Sequence, residues 1–187
     1  MIDFGAELPT LEGERINLRW LRQRDVPQLY SIFSDQDVMR YWSSTPMESV
    51  DEAQALLEEV HDHFRKHTLY QWGVALRSDD RVIGTCTLVR FDLENKRTEI
   101  GYALHRGECG NGYASEALRL LLTWTFDDFG MHKIEADVDP RNVGSINLLE
   151  RFGFVREGLL RERYQIGGEI QDSLMFGLIK REFVRQA

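Results

Sequence analysis

The run HRGECGNGYASEAL, residues 105–118, puts glycines at 107, 110 and 112 and then becomes an alanine- and leucine-rich segment with helical spacing. A glycine-rich turn feeding a helix is suited to holding phosphate, because unpaired backbone N–H groups and the positive end of the helix dipole both face the anion. A nucleoside triphosphate loop, GxxxxGK[ST], also carries a lysine for the outer phosphates, and this stretch has none. The six residues from Gly110 to Ser115 nearly reproduce the dinucleotide fingerprint GxGxx[GA], with Asp137 or Asp139 at a workable distance for a ribose contact. That fingerprint belongs to repeated strand–helix–strand units on a parallel sheet.

Other reactive side chains are sparse. Cys86 and Cys109 lie far apart without CxxC spacing, which provides neither a disulfide framework nor a metal site and fits a reducing cytoplasm. His61, His63 and His67 cluster on one predicted helix, with His63 and His67 one turn apart, but no third ligand accompanies them. No metal is expected.

The elements that must position the glycine turn can be read from periodicity. Residues 15–21 alternate as a strand. Asp25 is placed to cap a helix with Pro27 in its first turn, ending near Ser34. Ser49 and Glu52 form a capping box for a second helix, whose apolar face is Ala53, Leu56, Leu57, Val60 and Phe64. Three strand-like runs follow, 69–77, 81–91 and 97–105, and their short connections make them antiparallel. The glycine turn then leads to a helix from about Gly112 to Phe129, a strand at 133–139, and a helix from Asn142 to Phe152 stopped by Gly153. Two last strands, roughly 154–165 and 170–180, turn at Gly167-Gly168. Only the strand–helix–strand unit around 97–139 has to be parallel. The reading is a mixed α/β sheet, and its three antiparallel strands just before the turn contradict a dinucleotide domain.

The chain has 187 residues, the size of one domain covering 1–187, and 42% of them are hydrophobic. Its net charge of −8 argues against a nucleic-acid partner and is compatible with a cationic substrate. The N-terminus lacks a basic region followed by an apolar run, and no apolar stretch is long enough to span a bilayer. A cytoplasmic location with no membrane partner is therefore expected.

A third phosphate ligand fits the turn better than the first two. The pyrophosphate of coenzyme A is smaller and less charged than a triphosphate, and bare amides at a helix N-terminus can hold it without lysine or metal. EIGYALHRGECGNGYASEAL (99–118), NVGSINLLERFGF (142–154) and GLLRERYQIGGEIQDSLMFGLI (158–179) together resemble the motifs of the GNAT N-acetyltransferases. They most resemble the subfamily that includes the bacterial ribosomal-protein N-terminal acetyltransferases. The resemblance spans nearly the whole chain, including RINLRWLRQRDV (15–26) and the helix after TPMESV (45–50).

The resemblance implies a mostly antiparallel α/β sheet splayed between its fourth strand, 97–105, and its fifth, 132–139, with about four flanking helices. It implies acetyl-CoA as co-substrate. Backbone groups of Tyr102, Ala103 and Leu104 would pair with the pantetheine arm as an added strand does. Amides of Cys109, Gly110, Asn111, Gly112, Tyr113, Ala114 and Ser115 would cradle the pyrophosphate, and the Asn142 side chain would contact the arm. Glu99 is the implied catalytic base, and Ser145 the implied donor to the leaving thiolate. Leu149 stands where many relatives have a tyrosine acid, which counts against a polyamine acceptor. Cys109 replaces a common Trp or Gln; a covalent acetyl-cysteine route and a plain packing role are both open for it. For Trp20, Tyr41, Trp42 and Trp72 the resemblance leaves two roles open, bordering the acceptor cleft or packing in the core and at its rim, and it makes Arg161, Glu162 and Asp172, on the C-terminal hairpin, candidates for acceptor recognition.

The activity implied is direct transfer of acetyl to a primary amine in a ternary complex, with a protein or peptide N-terminal α-amine as acceptor. A polyamine, amino acid or aminoglycoside acceptor stays open, as does a non-catalytic acyl-CoA-binding module. The partners implied are the acceptor amine and, as in many relatives, a second copy in a homodimer.

Overall fold

A computed structural model describes residues 4–184 and contains eight strands and five α-helices among them. The strands are β1 (Leu11–Glu12), β2 (Ile16–Trp20), β3 (Leu69–Leu76), β4 (Val82–Asp92), β5 (Arg97–Leu104), β6 (Lys133–Val138), β7 (Val155–Ile166) and β8 (Glu169–Ile179). The helices are α1 (Val26–Phe33), α2 (Gln36–Met39), α3 (Val50–Arg65), α4 (Tyr113–Asp127) and α5 (Val143–Arg151). The two-residue β1 and the four-residue α2 were not foreseen, being too short to show a period. The sheet order is β1-β2-β3-β4-β5-β6-β8-β7. Every neighbouring pair is antiparallel except β5 and β6, which the α4 crossover joins in parallel.

Side chains of β3 alternate between two apolar clusters. Tyr70, Trp72 and Val74 pack with Leu118, Leu121 and Leu122 of α4, while Ala75 joins Leu29 and Ile32 of α1 and Leu57 and Val60 of α3. A sheet covered on both faces explains why β3 is buried at six successive positions, 70–75, instead of at alternate ones.

Two expected caps resolve differently. Ser49 Oγ accepts from the amide of Glu52 at 3.4 Å, but the Glu52 carboxylate reaches the amide of Glu48, one residue before the cap. Asp25 does not cap α1. Its carboxylate, 4% exposed, accepts the Arg19 guanidinium at 2.8 and 2.9 Å and the Arg22 amide at 2.8 Å. A buried arginine outcompetes a helix amide for an ionised acid, because a charged pair removed from water must be matched.

The last hairpin turns at Gly167 (φ 56°) and Gly168 (φ 86°), the two left-handed residues that a two-residue loop requires. Two non-glycine residues adopt left-handed backbone at register shifts within strands: Arg90 (φ 56°) in β4 and Glu162 (φ 53°) in β7.

Candidate active site

Pairing between β5 and β6 runs from Arg97↔Lys133 to Ile100↔Ala136 and stops there, although both strands continue. Residues 101–104 stay paired to β4 on the other side. The strands therefore part midway, as the splay requires, and α5 begins beside the opening. Two clefts meet in this gap. One, about 360 Å³, lies by Glu99, Asp137 and Asp172. The other, about 630 Å³, runs along Ala103 and Leu104 to the glycine turn. Tyr41, Trp42, Tyr102, Asn142 and Ser145 line both, so one channel crosses the sheet.

The glycine turn is built to leave its amides unused. Gly110 and Gly112 both sit at φ 82°, which residues with a Cβ adopt at a cost. Among the described residues the amides of 110–115 find no backbone acceptor, and the first one to donate in this region is Glu116, to the carbonyl of Gly112 at 3.1 Å. A Cβ on Gly110 would meet nothing within 4 Å, so the turn faces open space. These are the features a pyrophosphate needs from a site that has no lysine, and the residues fit the diphosphate of a coenzyme A thioester.

Arg15 and Glu116 hold the turn. The Glu116 carboxylate, 3% exposed, accepts from the Arg15 amide at 2.8 Å, the Arg15 Nε at 2.9 Å and the Ile16 amide at 3.3 Å. Arg15 Nη1 donates to the carbonyl of Asn111 at 2.8 Å, and its guanidinium lies 5.0 Å from the centre of the Tyr113 ring. Burial alone would push the Glu116 carboxyl up, but the hydrogen bonds from Arg15 and Ile16 outweigh it and hold the group below its ordinary value. Arg15 is about one hundred residues from the turn in sequence, and no local pattern marks this contact.

In the gap, the hydroxyls of Tyr102 and Ser145 lie 2.7 Å apart. Burial pushes the Tyr102 phenol up to about 12. Asn142 caps α5 by accepting the Ser145 amide on Oδ1 at 3.1 Å, so part of its side chain serves the helix. Leu149 is fully buried in the core and contacts the wall of the first cleft without any polar group.

Glu99, its side chain 13% exposed, sits on the second last paired position of β5. By the parity of a strand it projects to the face opposite Tyr102, and the opening lets both address one channel. Burial raises its pKa, the guanidinium of Arg90 at 3.1 Å pulls it back, and the neighbouring Asp137 and Glu135 raise it again. Asp137 accepts from Tyr164 at 2.7 Å and from Ser173, with Arg163 at 3.7 Å. Asp139 is held by Arg141 at 2.6 Å.

Several sequence expectations are redirected. Trp20 and Trp72 are buried in the core, Trp20 stacked on His61 at 4.5 Å, and only Tyr41 and Trp42 reach the clefts. Asp172 lines the acceptor side, but Arg161 and Glu162 do not; Glu162 donates its amide to Asp172 at 2.8 Å. Cys109 is exposed, and desolvation with the nearby acids Asp35 and Glu108 shifts its thiol pKa up, opposing the helix N-terminus. Glu108 lines the phosphate-side cleft but is paired with Arg81 at 2.9 Å. His61, His63 and His67 bond separately to Leu21, Thr68 and Tyr70, and the described residues hold no cluster of three groups able to bind a metal. Sequence reading missed the side chain of Tyr102, whose partner is forty-three positions away, and Arg90, which a strand bulge aims at Glu99.

Comparison with known proteins agrees with this geometry. The family model described as "Acetyltransferase (GNAT) domain" matches residues 15–155. The uncharacterized N-acetyltransferase p20 of Bacillus licheniformis is 37% identical over 176 residues, covering 94% of this chain and 99% of p20. The spermidine N-acetyltransferase of Vibrio cholerae, solved with CoA and spermine, superposes with a TM-score of 0.80 at 25% identity, over 90% of this chain and 97% of that one. The ribosomal-protein-S5-alanine acetyltransferase of Vibrio fischeri shares the fold, with a TM-score of 0.80 at 20% identity over 94% of this chain and 99% of that one. An eight-stranded sheet parted at its one parallel pair, with unpaired amides on one side and a carboxylate cleft on the other, thus belongs to a member of the GNAT acetyltransferase family, an N-acetyltransferase that uses acetyl-CoA as co-substrate.

Proposed function

We propose that the acceptor is the N-terminal α-amine of a protein or peptide, acetylated by direct attack within a ternary complex. The observation that carries this reading is the charge balance of the acceptor cleft. Glu99 is matched by Arg90, Asp139 by Arg141 and Asp137 by Arg163, so that among the described residues Asp172 is the lining acid left without an arginine. A polyamine or aminoglycoside carries several cations and calls for several uncompensated carboxylates, whereas a single terminal ammonium needs one. The absence of membrane-spanning helices among the described residues is compatible with cytoplasmic protein substrates.

In this reading the amide groups of residues 110–115 hold the pyrophosphate, the expected Cys109 amide being spent instead on the Arg106 carbonyl at 3.2 Å, the free edge of β5 at residues 102–104 takes the pantetheine arm, and Asn142 steadies it. Bound acetyl-CoA supplies an acetyl thioester. Glu99 takes the proton that an ammonium must lose before its nitrogen can attack. A carboxylate lifted by burial is a better base near neutral pH than an ordinary one. Ser145 donates a hydrogen bond to the sulfur as it leaves.

The test is release of CoA thiol from acetyl-CoA with a panel of peptides of varied N-terminus, polyamines, amino acids and aminoglycosides, followed by mass spectrometry of the product. Turnover of peptides at the α-amine and not at internal lysines is the expected result. Turnover confined to spermidine or spermine would refute it. Cofactor binding with no turnover of any amine would favour an acyl-CoA-binding module instead.

A further inference from the structure

We propose that Tyr102 and Ser145 act as one device, a coupled hydroxyl pair that presents a single O–H to the leaving sulfur, with the Tyr102 phenol as its second, equally necessary half. The inference rests on the reading of Ser145 above and adds a side-chain role to a residue otherwise considered only for its backbone. Three observations carry it. The two oxygens are 2.7 Å apart, a full hydrogen bond between β5 and α5. Both residues line both clefts, so the bond stands where the cofactor side meets the acceptor side. Leu149, where many relatives carry a tyrosine acid, is buried and apolar, so the channel draws no donor from that position.

Two hydroxyls bonded to each other spend one O–H on the bond and keep one free. Whichever oxygen donates within the pair, one hydrogen remains for the gap. A lone serine would choose among rotamers, among them one bonding back to a helix carbonyl. The phenol removes that freedom. Its own burial discourages ionisation, so it stays a donor throughout the neutral range.

The step balances as follows. The amine nitrogen lone pair forms the N–C bond, the C–S bond breaks, and sulfur keeps that electron pair. The ammonium has already given its first proton to Glu99; the attacking nitrogen loses its second to solvent, sulfur takes one proton from the hydroxyl pair, and solvent returns one to the pair, leaving an amide, a free thiol and one proton on Glu99. Within the pair, the oxygen facing sulfur is the catalytic group and the other positions it.

The test reads the bound thiol directly and needs no acceptor. In the enzyme–CoA complex, the ultraviolet absorbance of the CoA thiolate is titrated against pH. A donor aimed at sulfur favours thiolate, so the bound thiol pKa is expected to rise by about one unit in Tyr102→Phe, the worth of one charge-assisted hydrogen bond. Ser145→Ala is expected to do the same, and the double variant no more than either, because the pair acts as a unit. Ser145→Ala spares the buried ring and keeps the test decisive if Tyr102→Phe folds poorly. A thiol titration unmoved in either variant that still binds CoA by calorimetry would overturn the proposal, and so would fully additive shifts. Because the assay contains no amine, its result is independent of which acceptor the enzyme prefers.

Discussion

Truncating Glu116 should show how much the cofactor side depends on one carboxylate. In the wild type this group satisfies two backbone amides, Arg15 at 2.8 Å and the fully buried Ile16 at 3.3 Å, and pairs with the Arg15 Nε at 2.9 Å. Glu116→Ala leaves both amides without an acceptor, at a cost of roughly 1–3 kcal/mol for each such group. The side-chain pair adds little, since Arg15 is 51% exposed. The expected loss is about 3–4 kcal/mol. For a chain of this size that lowers Tm by roughly 6–16 °C. Both amides bond to the same oxygen, Oε1, so Glu116→Gln with its amide oxygen in that place keeps both acceptors, loses mainly the Arg15 Nε contact and should cost about 1 kcal/mol or less. Hydrogen bonding holds the Glu116 pKa below its unfolded value, so the carboxylate's contribution is present above the unfolded pKa and fades as pH falls through the folded one. The gap between wild type and Glu116→Gln should therefore narrow on acidification. Urea melts across pH, with acetyl-CoA KM measured in parallel, provide the assay. A Glu116→Ala variant within about 1 kcal/mol of wild type would refute the reasoning, since two orphaned amides cannot cost so little.

Glu99→Gln should lower kcat/KM about 100-fold or more, abolish the acidic limb of the pH–rate profile and leave CoA affinity unchanged in calorimetry. Arg90→Ala removes the cation that pulls the Glu99 pKa down, so the acidic limb of a pH–rate profile should move to higher pH. Gly112→Ala should cost about 1–2 kcal/mol for its left-handed backbone. It should also raise KM for acetyl-CoA, because the new Cβ would sit 3.2 Å from Arg15 Nη2 and disturb the arginine that holds the turn. Gly110→Ala, with the same φ but open space around its Cβ, separates the two effects when its unfolding and KM are measured alongside.

Local chemistry carried a large share of this molecule. The spacing of Ala117, Leu118, Leu121 and Leu122 identified α4, the Gly167-Gly168 pair identified the last hairpin, and short connections made β3, β4 and β5 antiparallel. Such features depend on residues within a few positions of one another, so backbone geometry and helical period suffice to read them. The glycine turn was legible for the same reason: left-handed backbone at Gly110 and Gly112 and unspent amides at a helix start are local properties.

What decided the chemistry was not local. β5 and β6 part after Ile100 while β6 stays paired to β8 as far as Val138, a difference between two neighbours that no pattern within either strand predicts. The meeting of Tyr102 with Ser145, of Arg15 with Asn111 and Glu116, and of Arg90 with Glu99 through a bulge joins residues from separate elements. The same packing buried Trp20 and Trp72, for which the resemblance had left both core and cleft open, and turned Asp25 from a helix cap into the partner of Arg19. Sequence determined which groups were available and which elements would carry them. Only the folded chain set their distances and their burial, and both pKa and hydrogen bonding follow from these.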